Sequence, residues 1–218
     1  MSDFTLPLIL DLDVVSLAMS LVNIGSETGD EGDLADSVET ALTPLPHLTV
    51  ERVGNAVVAR TRARPDSGER VLVAGHLDTV AGEPDTFAYV EMGKVFGTGA
   101  CDAKGGLAVV LKAAQPAYER DVTFLFYAGG EGAGLAALAE ARPDLLDVGL
   151  AILVEPTSGV VGTTASLSCS GAEHLTALGV PFEVFGPGDP AVAHSPGEFV
   201  PTAELTECEF VLRTRLQG

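Results

Sequence analysis

Arg70-Val71-Leu72-Val73-Ala74-Gly75-His76 is an almost unbroken apolar run closed by a histidine. A strand buried on one face alternates apolar and polar residues, whereas a strand covered on both faces stays apolar throughout. The run therefore reads as a central, doubly covered strand. Two further runs have the same character, Val122 to Tyr127 and residues 149–154, the latter ending just before Glu155-Pro156. Between and around them, residues 104–119 and 133–142 carry helical patterning. Buried strands alternating with helices predict an α/β fold, a three-layer sandwich around a mostly parallel mixed sheet. Ligand sites in such sheets gather where strands end and loops begin.

Outward from this core, residues 13–23 read as a helix with Val14, Leu17 and Leu21 on one stripe, and residues 33–42 as a second. Strands are expected at 48–53 and 55–60. Residues 157–171 are small, polar and glycine-containing, the pattern of a linker or short strand with loops. Helix 172–178, strand 180–185 and helix 202–216 follow, the last with Leu205, Cys208, Leu212 and Leu216 in register. There is no internal repeat.

The 218 residues, 46% of them hydrophobic, suit one domain spanning 1–218, with a core of Val, Leu and Ala because aromatics are few and Trp is absent. A net charge of -19 excludes nucleic acid and anionic membrane surfaces as partners, since both need Lys and Arg. Three scattered cysteines, Cys101, Cys169 and Cys208, make no disulfide framework and point to a reducing compartment. Residues 1–20 hold Asp3, Asp11 and Asp13 with no basic n-region, and no apolar run approaches a membrane span. A soluble, cytoplasmic protein is expected.

The residues that carry chemistry lie at the predicted strand ends and in two loops. In Gly75-His76-Leu77-Asp78-Thr79-Val80, positions two apart share a face, so Asp78 can lie beside His76 and fix its tautomer. On its own the pair fits a core histidine with a nearby acid equally well. Asp102, in Gly97-Thr98-Gly99-Ala100-Cys101-Asp102-Ala103-Lys104-Gly105-Gly106, precedes a helix and taken alone reads as an N-cap. Glu131 and Glu155 each follow a buried strand. His194 sits in a turn-rich loop with Asp189 and Glu198. Together, two imidazoles and three carboxylates are the inventory of a paired divalent-metal site suited to Zn, Co or Mn. His47 reads as structural or exposed, His174 as surface, Cys101 as a buried inert thiol, and Cys208 as core.

The order and context of these motifs resemble the zinc-dependent aminoacylase and carboxypeptidase family, above all succinyl-diaminopimelate desuccinylases of the actinobacterial type. The similarity rests on Gly-His76-Leu-Asp-Thr-Val, on Gly-Thr-Gly-Ala-Cys-Asp102-Ala-Lys-Gly-Gly, on Glu155-Pro156, on Phe-Gly-Pro-Gly-Asp-Pro with His194, and on Ala177-Leu178-Gly179-Val180-Pro181. The resemblance implies two zinc ions. His76 and Glu155 would hold one, Glu131 and His194 the other, and Asp102 would bridge them while Asp78 orients His76. It also implies a cis peptide after Asp102, and hydrolysis of the amide of a small N-acyl amino acid, in lysine and diaminopimelate biosynthesis.

Three departures from the family pattern touch catalysis. The family run Ala-Asp-Glu-Glu-Gly is here Ala128-Gly129-Gly130-Glu131-Gly132, which keeps the ligand and puts Gly130 at the general-base position. An off-by-one register, with Glu131 as base, is disfavoured by the match of Gly132. The family's lid or dimerisation domain, an insertion of roughly a hundred residues and itself domain-sized, is missing near 158–170, which predicts a monomer. The Ser/Thr-Asp pair ahead of Ala177-Leu178 is Ser170-Gly171. These changes read as a redesigned or minimised catalytic domain with impaired activity, with degenerate natural descent as the competing origin. A metal-binding scaffold without activity, and a metallopeptidase or deacylase of other specificity, are the alternatives.

Overall fold

The computed structural model describes residues 7–62, 68–81, 87–129, 134–161 and 170–217. Helices α1 (Val14–Val22) and α2 (Gly32–Leu42) precede strands β1 (Leu48–Val53), β2 (Ala56–Thr61) and β3 (Val71–His76). The short strands β4 (Tyr89–Glu91) and β5 (Lys94–Phe96) lead through a wide turn at Ala100–Lys104 into α3 (Gly105–Ala114). Then come β6 (Val122–Tyr127), α4 (Gly134–Ala141), β7 (Leu150–Leu153), α5 (Ser170–Leu178), β8 (Phe182–Val184), β9 (Phe199–Pro201) and α6 (Thr202–Gln217).

Six strands form one sheet in the order β1-β2-β6-β3-β7-β8. The pairs β6–β3, β3–β7 and β7–β8 are parallel, and β1–β2 and β2–β6 antiparallel. Every residue of β3 and β6 is buried. The two-residue period of a strand then divides the core between the faces. Val71 and Val73 pack with α1, α2, α3 and α6, while Leu72 and Ala74 pack with α4 and α5. This is the expected three-layer sandwich, with its mostly parallel sheet in the middle.

Helix α3 sits hard against the sheet because its first turn lacks side chains. A Cβ on Gly106 would lie 2.9 Å from Val154 Cγ1, closer than real contacts allow. Helix α6 buries Leu205, Cys208, Leu212 and Leu216, the stripe expected from the sequence. Among the described residues, no helix is long and apolar enough to cross a membrane. Phe124 is fully buried in β6, and truncation there leaves a cavity that a sheet between two helical layers cannot close. Phe124→Ala should cost about 3–5 kcal/mol, read from urea unfolding.

Three local expectations shift. Helix 104–119 stops at Ala114, because Pro116 has no N–H with which to continue it. Strand 180–185 narrows to Phe182–Val184. His174 is half-buried rather than on the surface. A second antiparallel sheet, β4-β5-β9, was not anticipated. Its three-residue strands are too short to show a period, and β9 pairs with β5 across about a hundred residues of chain.

Candidate metal centre

The parallel strands deliver three of the expected side chains to one end of the sheet. His76 is the last residue of β3, Asp78 follows two positions on, and Glu155 lies just past β7. Asp102 comes from the turn before α3, where its backbone is extended (φ -129°, ψ 99°) and the Asp102–Ala103 peptide is cis, as expected. His194 arrives from the loop between β8 and β9 with a positive φ of 57°. Glu131 and Gly130 lie outside the described residues.

The two oxygens of Asp102 face different histidines. His76 Nε2 is 3.0 Å from Oδ1 and His194 Nε2 is 3.2 Å from Oδ2. Glu155 Oε2 is 3.7 Å from His76 Nε2. Tetrahedral ligands at zinc bond lengths near 2.0 Å stand roughly 3.3 Å apart. The donors of Asp102 and Glu155 thus stand from His76 Nε2 at close to the spacing that one small divalent ion imposes, and all three lie within 4.8 Å of one another. A carboxylate offering one oxygen to each imidazole has the form of a bridge between two such sites.

On its other side, His76 Nδ1 faces Asp78 Oδ1 at 3.4 Å, long for a hydrogen bond but close enough to orient the ring. Asp78 is itself fully buried, and its Oδ2 accepts from Thr28 Oγ1 at 3.0 Å. Burial opposes charge on His76, yet Asp102, Asp78 and Glu155 hold its pKa well above the ordinary histidine value. Buried carboxylates crowded on one imidazole make a negative pocket that a cation would complete. The residues present fit a metal ion.

Glu198 holds the Asp102 turn in place. Its Oε1 accepts the backbone N–H of Cys101 (2.8 Å) and of Asp102 itself (2.9 Å), and its Oε2 that of Gly99 (3.1 Å). Burial pushes the Glu198 pKa up, opposed by these three donors. The loop that carries His194 is thereby tied to the turn that carries Asp102. Asp189, the other acid of that loop, accepts from Ala191 N at 2.9 Å and shapes the short turn that follows. Glu198→Ala would leave three buried N–H groups without a partner, at a cost of roughly 1–3 kcal/mol for each group that stays dry. Thermal melts should show that loss, while Glu198→Gln, which keeps one carbonyl acceptor, should lose less.

The sequence puts Glu198 in the same loop as His194 but does not point to its partners, and nothing in it singles out Thr28. No spacing signal could have found Thr28, since it meets Asp78 from 50 residues away. Burial pushes the Cys101 thiol up, aided by Glu198 and Asp102, in keeping with an inert thiol. His47 Nε2 lies 3.0 Å from the Ala114 carbonyl and is structural. Lys104, next to the site in sequence, turns away and donates to the Ile24 carbonyl at 2.5 Å.

Comparison with known proteins bears on the family of the chain and on its fold. The chain is 39% identical over 158 residues to the succinyl-diaminopimelate desuccinylase of Corynebacterium glutamicum, an alignment covering 67% of this chain and 42% of that protein. It therefore spans less than half the length of the curated relatives it matches. In structure it is similar to aminopeptidase PepT of Bacillus cereus (TM-score 0.73, 12% identity, covering 94% of this chain and 97% of that one). It is also similar to an M20 family metallo-carboxypeptidase of Sulfolobus solfataricus (TM-score 0.56, 17% identity, covering 67% and 38%). At these identities the structural likeness speaks for the fold alone. Residues 72–168, which hold His76, Asp102 and Glu155, match the model of Peptidase family M20/M25/M40, and the chain carries a domain of that family.

Proposed function

We propose that this chain is the metal-binding half of a two-zinc amidohydrolase of the desuccinylase type, cleaving the amide of a small N-acyl amino acid, with turnover held low by the glycine at position 130. The observation that carries the reading is the division of Asp102 between His76 and His194, one carboxylate oxygen to each. In this reading His76 and Glu155 hold one ion, Glu131 and His194 the other, and Asp102 is shared. Imidazole and carboxylate donors suit zinc, and also cobalt or manganese.

When bound, such an ion pair supplies Lewis acidity toward the amide carbonyl and acidifies water beside it. The protein's own part is positional and protonic. Asp78 keeps Nε2 of His76 directed at the site, and Glu198 keeps both oxygens of Asp102 turned inward. Amide hydrolysis also needs a side chain that takes a proton from water and returns it to the departing amine. At the family's position for that group stands Gly130, and glycine can do neither.

Between Glu155 and α5 run only residues 156–169, too few for an inserted lid domain. We take that domain to be absent from this chain, which leaves the centre open on one side and the chain monomeric. The charge and cysteine content favour the cytoplasm. The test is to load the chain with zinc, count bound ions by mass spectrometry, and assay succinyl-diaminopimelate with other N-acyl amino acids. Two ions with slow hydrolysis support the reading. Turnover at the rate of an ordinary enzyme refutes the impairment, and failure to bind zinc refutes the metal assignment.

A further inference from the structure

Beside His194 a cavity of about 330 Å³ opens onto the small sheet β4-β5-β9. Its apolar walls are Val80, Phe87, Tyr89 and Phe96, and its polar edge is Thr98, His194 and Glu198. The volume is at the lower end of the range for small-molecule sites. Tyr89 stacks on Phe96 with ring centroids 5.0 Å apart, so the wall is a built aromatic surface rather than a single stray side chain. Yet Phe87 is 77% exposed and Tyr89 52% exposed, apolar area that costs free energy unless a ligand covers it.

The charge around this cavity is one-sided. Among the described residues no Lys or Arg lines it. There is no Lys or Arg between Arg120 and Arg142, none between Arg142 and Arg213, and between Arg70 and Lys104 there is Lys94 alone. Lys104 is buried against the Ile24 carbonyl, and Lys94 Nζ lies 3.8 Å above the ring of Phe199. The acid that borders the cavity, Glu198, and the net charge of -19 both disfavour an anionic group there. A succinyl tail brings a carboxylate that no Lys or Arg among the described residues lining the cavity would meet, and an unpaired carboxylate pressed on an aromatic wall is strongly penalised.

We propose that this cavity is the side-group subsite of the metal centre, and that it takes a neutral apolar group of an N-acyl amino acid, not a second carboxylate. The inference rests on the metal reading above and sharpens its substrate class. It departs from the succinylated substrate in the names of the curated relatives.

The experiment is calorimetric binding to the zinc-loaded chain of N-hexanoyl-L-norleucine and of N-succinyl-L-glutamate, with zinc uptake measured on the same samples. Both probes carry an α-carboxylate and differ in the charge of their tails. The apolar probe should bind at least tenfold more tightly. The double variant Phe87→Ala/Tyr89→Ala, at two exposed positions, should keep zinc uptake and melting temperature while weakening the apolar probe about tenfold, in line with the loss of part of two aromatic contacts. It should leave the succinyl probe unchanged. Zinc uptake with equal or tighter binding of the succinyl probe overturns the subsite and spares the metal centre, as does a double variant that weakens neither probe or both alike. Absence of zinc uptake overturns both.

Discussion

Gly130→Glu is expected to raise the rate of N-acyl amino acid hydrolysis by the zinc-loaded chain on the order of a hundred- to ten-thousand-fold, the usual contribution of one positioned acid–base group. A side chain that only improved substrate binding would lower KM. A proton-transfer group acts on the chemical step, so the gain should appear in kcat. A new rising limb in the pH profile of kcat should accompany it, because the introduced carboxyl must be ionised before it can take a proton from water. Zinc stoichiometry should stay unchanged, since position 130 is not among the proposed ligands. No gain in kcat with zinc still bound would mean that Glu131 is itself the acid–base residue and that the register of this segment is off by one.

Asp102→Asn is the second large effect. The substitution keeps the shape of the side chain and its Oδ1, but it removes the charge and turns one bridging oxygen into an amide N–H that cannot ligate a cation and can instead donate to His194 Nε2, tying up that ligand as well. Loss of a group that merely supports a ligand typically costs ten- to a hundredfold in metal affinity. Loss of the shared ligand should exceed that, so zinc affinity is expected to fall by more than about a hundredfold, with at most one ion retained. Chelator competition gives the affinity and mass spectrometry the count. The fold should survive, because Glu198 holds the turn through the backbone N–H of Asp102 and not through its carboxylate. Two tightly held ions in Asp102→Asn would end the bridging assignment.

Much of the architecture is legible in local pattern. The apolar run at 70–76 announces a doubly covered strand, and β3 is buried at every position. The strand-end placement of His76 and Glu155 follows from where those runs stop. The stripe Leu205, Cys208, Leu212 and Leu216 predicts both α6 and its inward face. Such features come from residue periods of two and of about four, which neighbouring residues impose on each other whatever the rest of the chain does.

Other features depend on pairings that no local window contains. The three-residue strands β4, β5 and β9 form because they meet one another, and that meeting places Glu198 under the Asp102 turn. The cavity beside His194 is made by the same sheet, and its aromatic wall is a row of residues that are unremarkable one at a time. Thr28 reaches Asp78, and His194 reaches Asp102, only through the crossing of the chain at the sheet's end. Sequence alone determined the α/β sandwich, the donor types and the glycine at position 130. Tertiary structure decided that Asp102 divides its two oxygens between His76 and His194, because a side chain's chemistry is local while the spacing of donor atoms belongs to the packed elements that carry them.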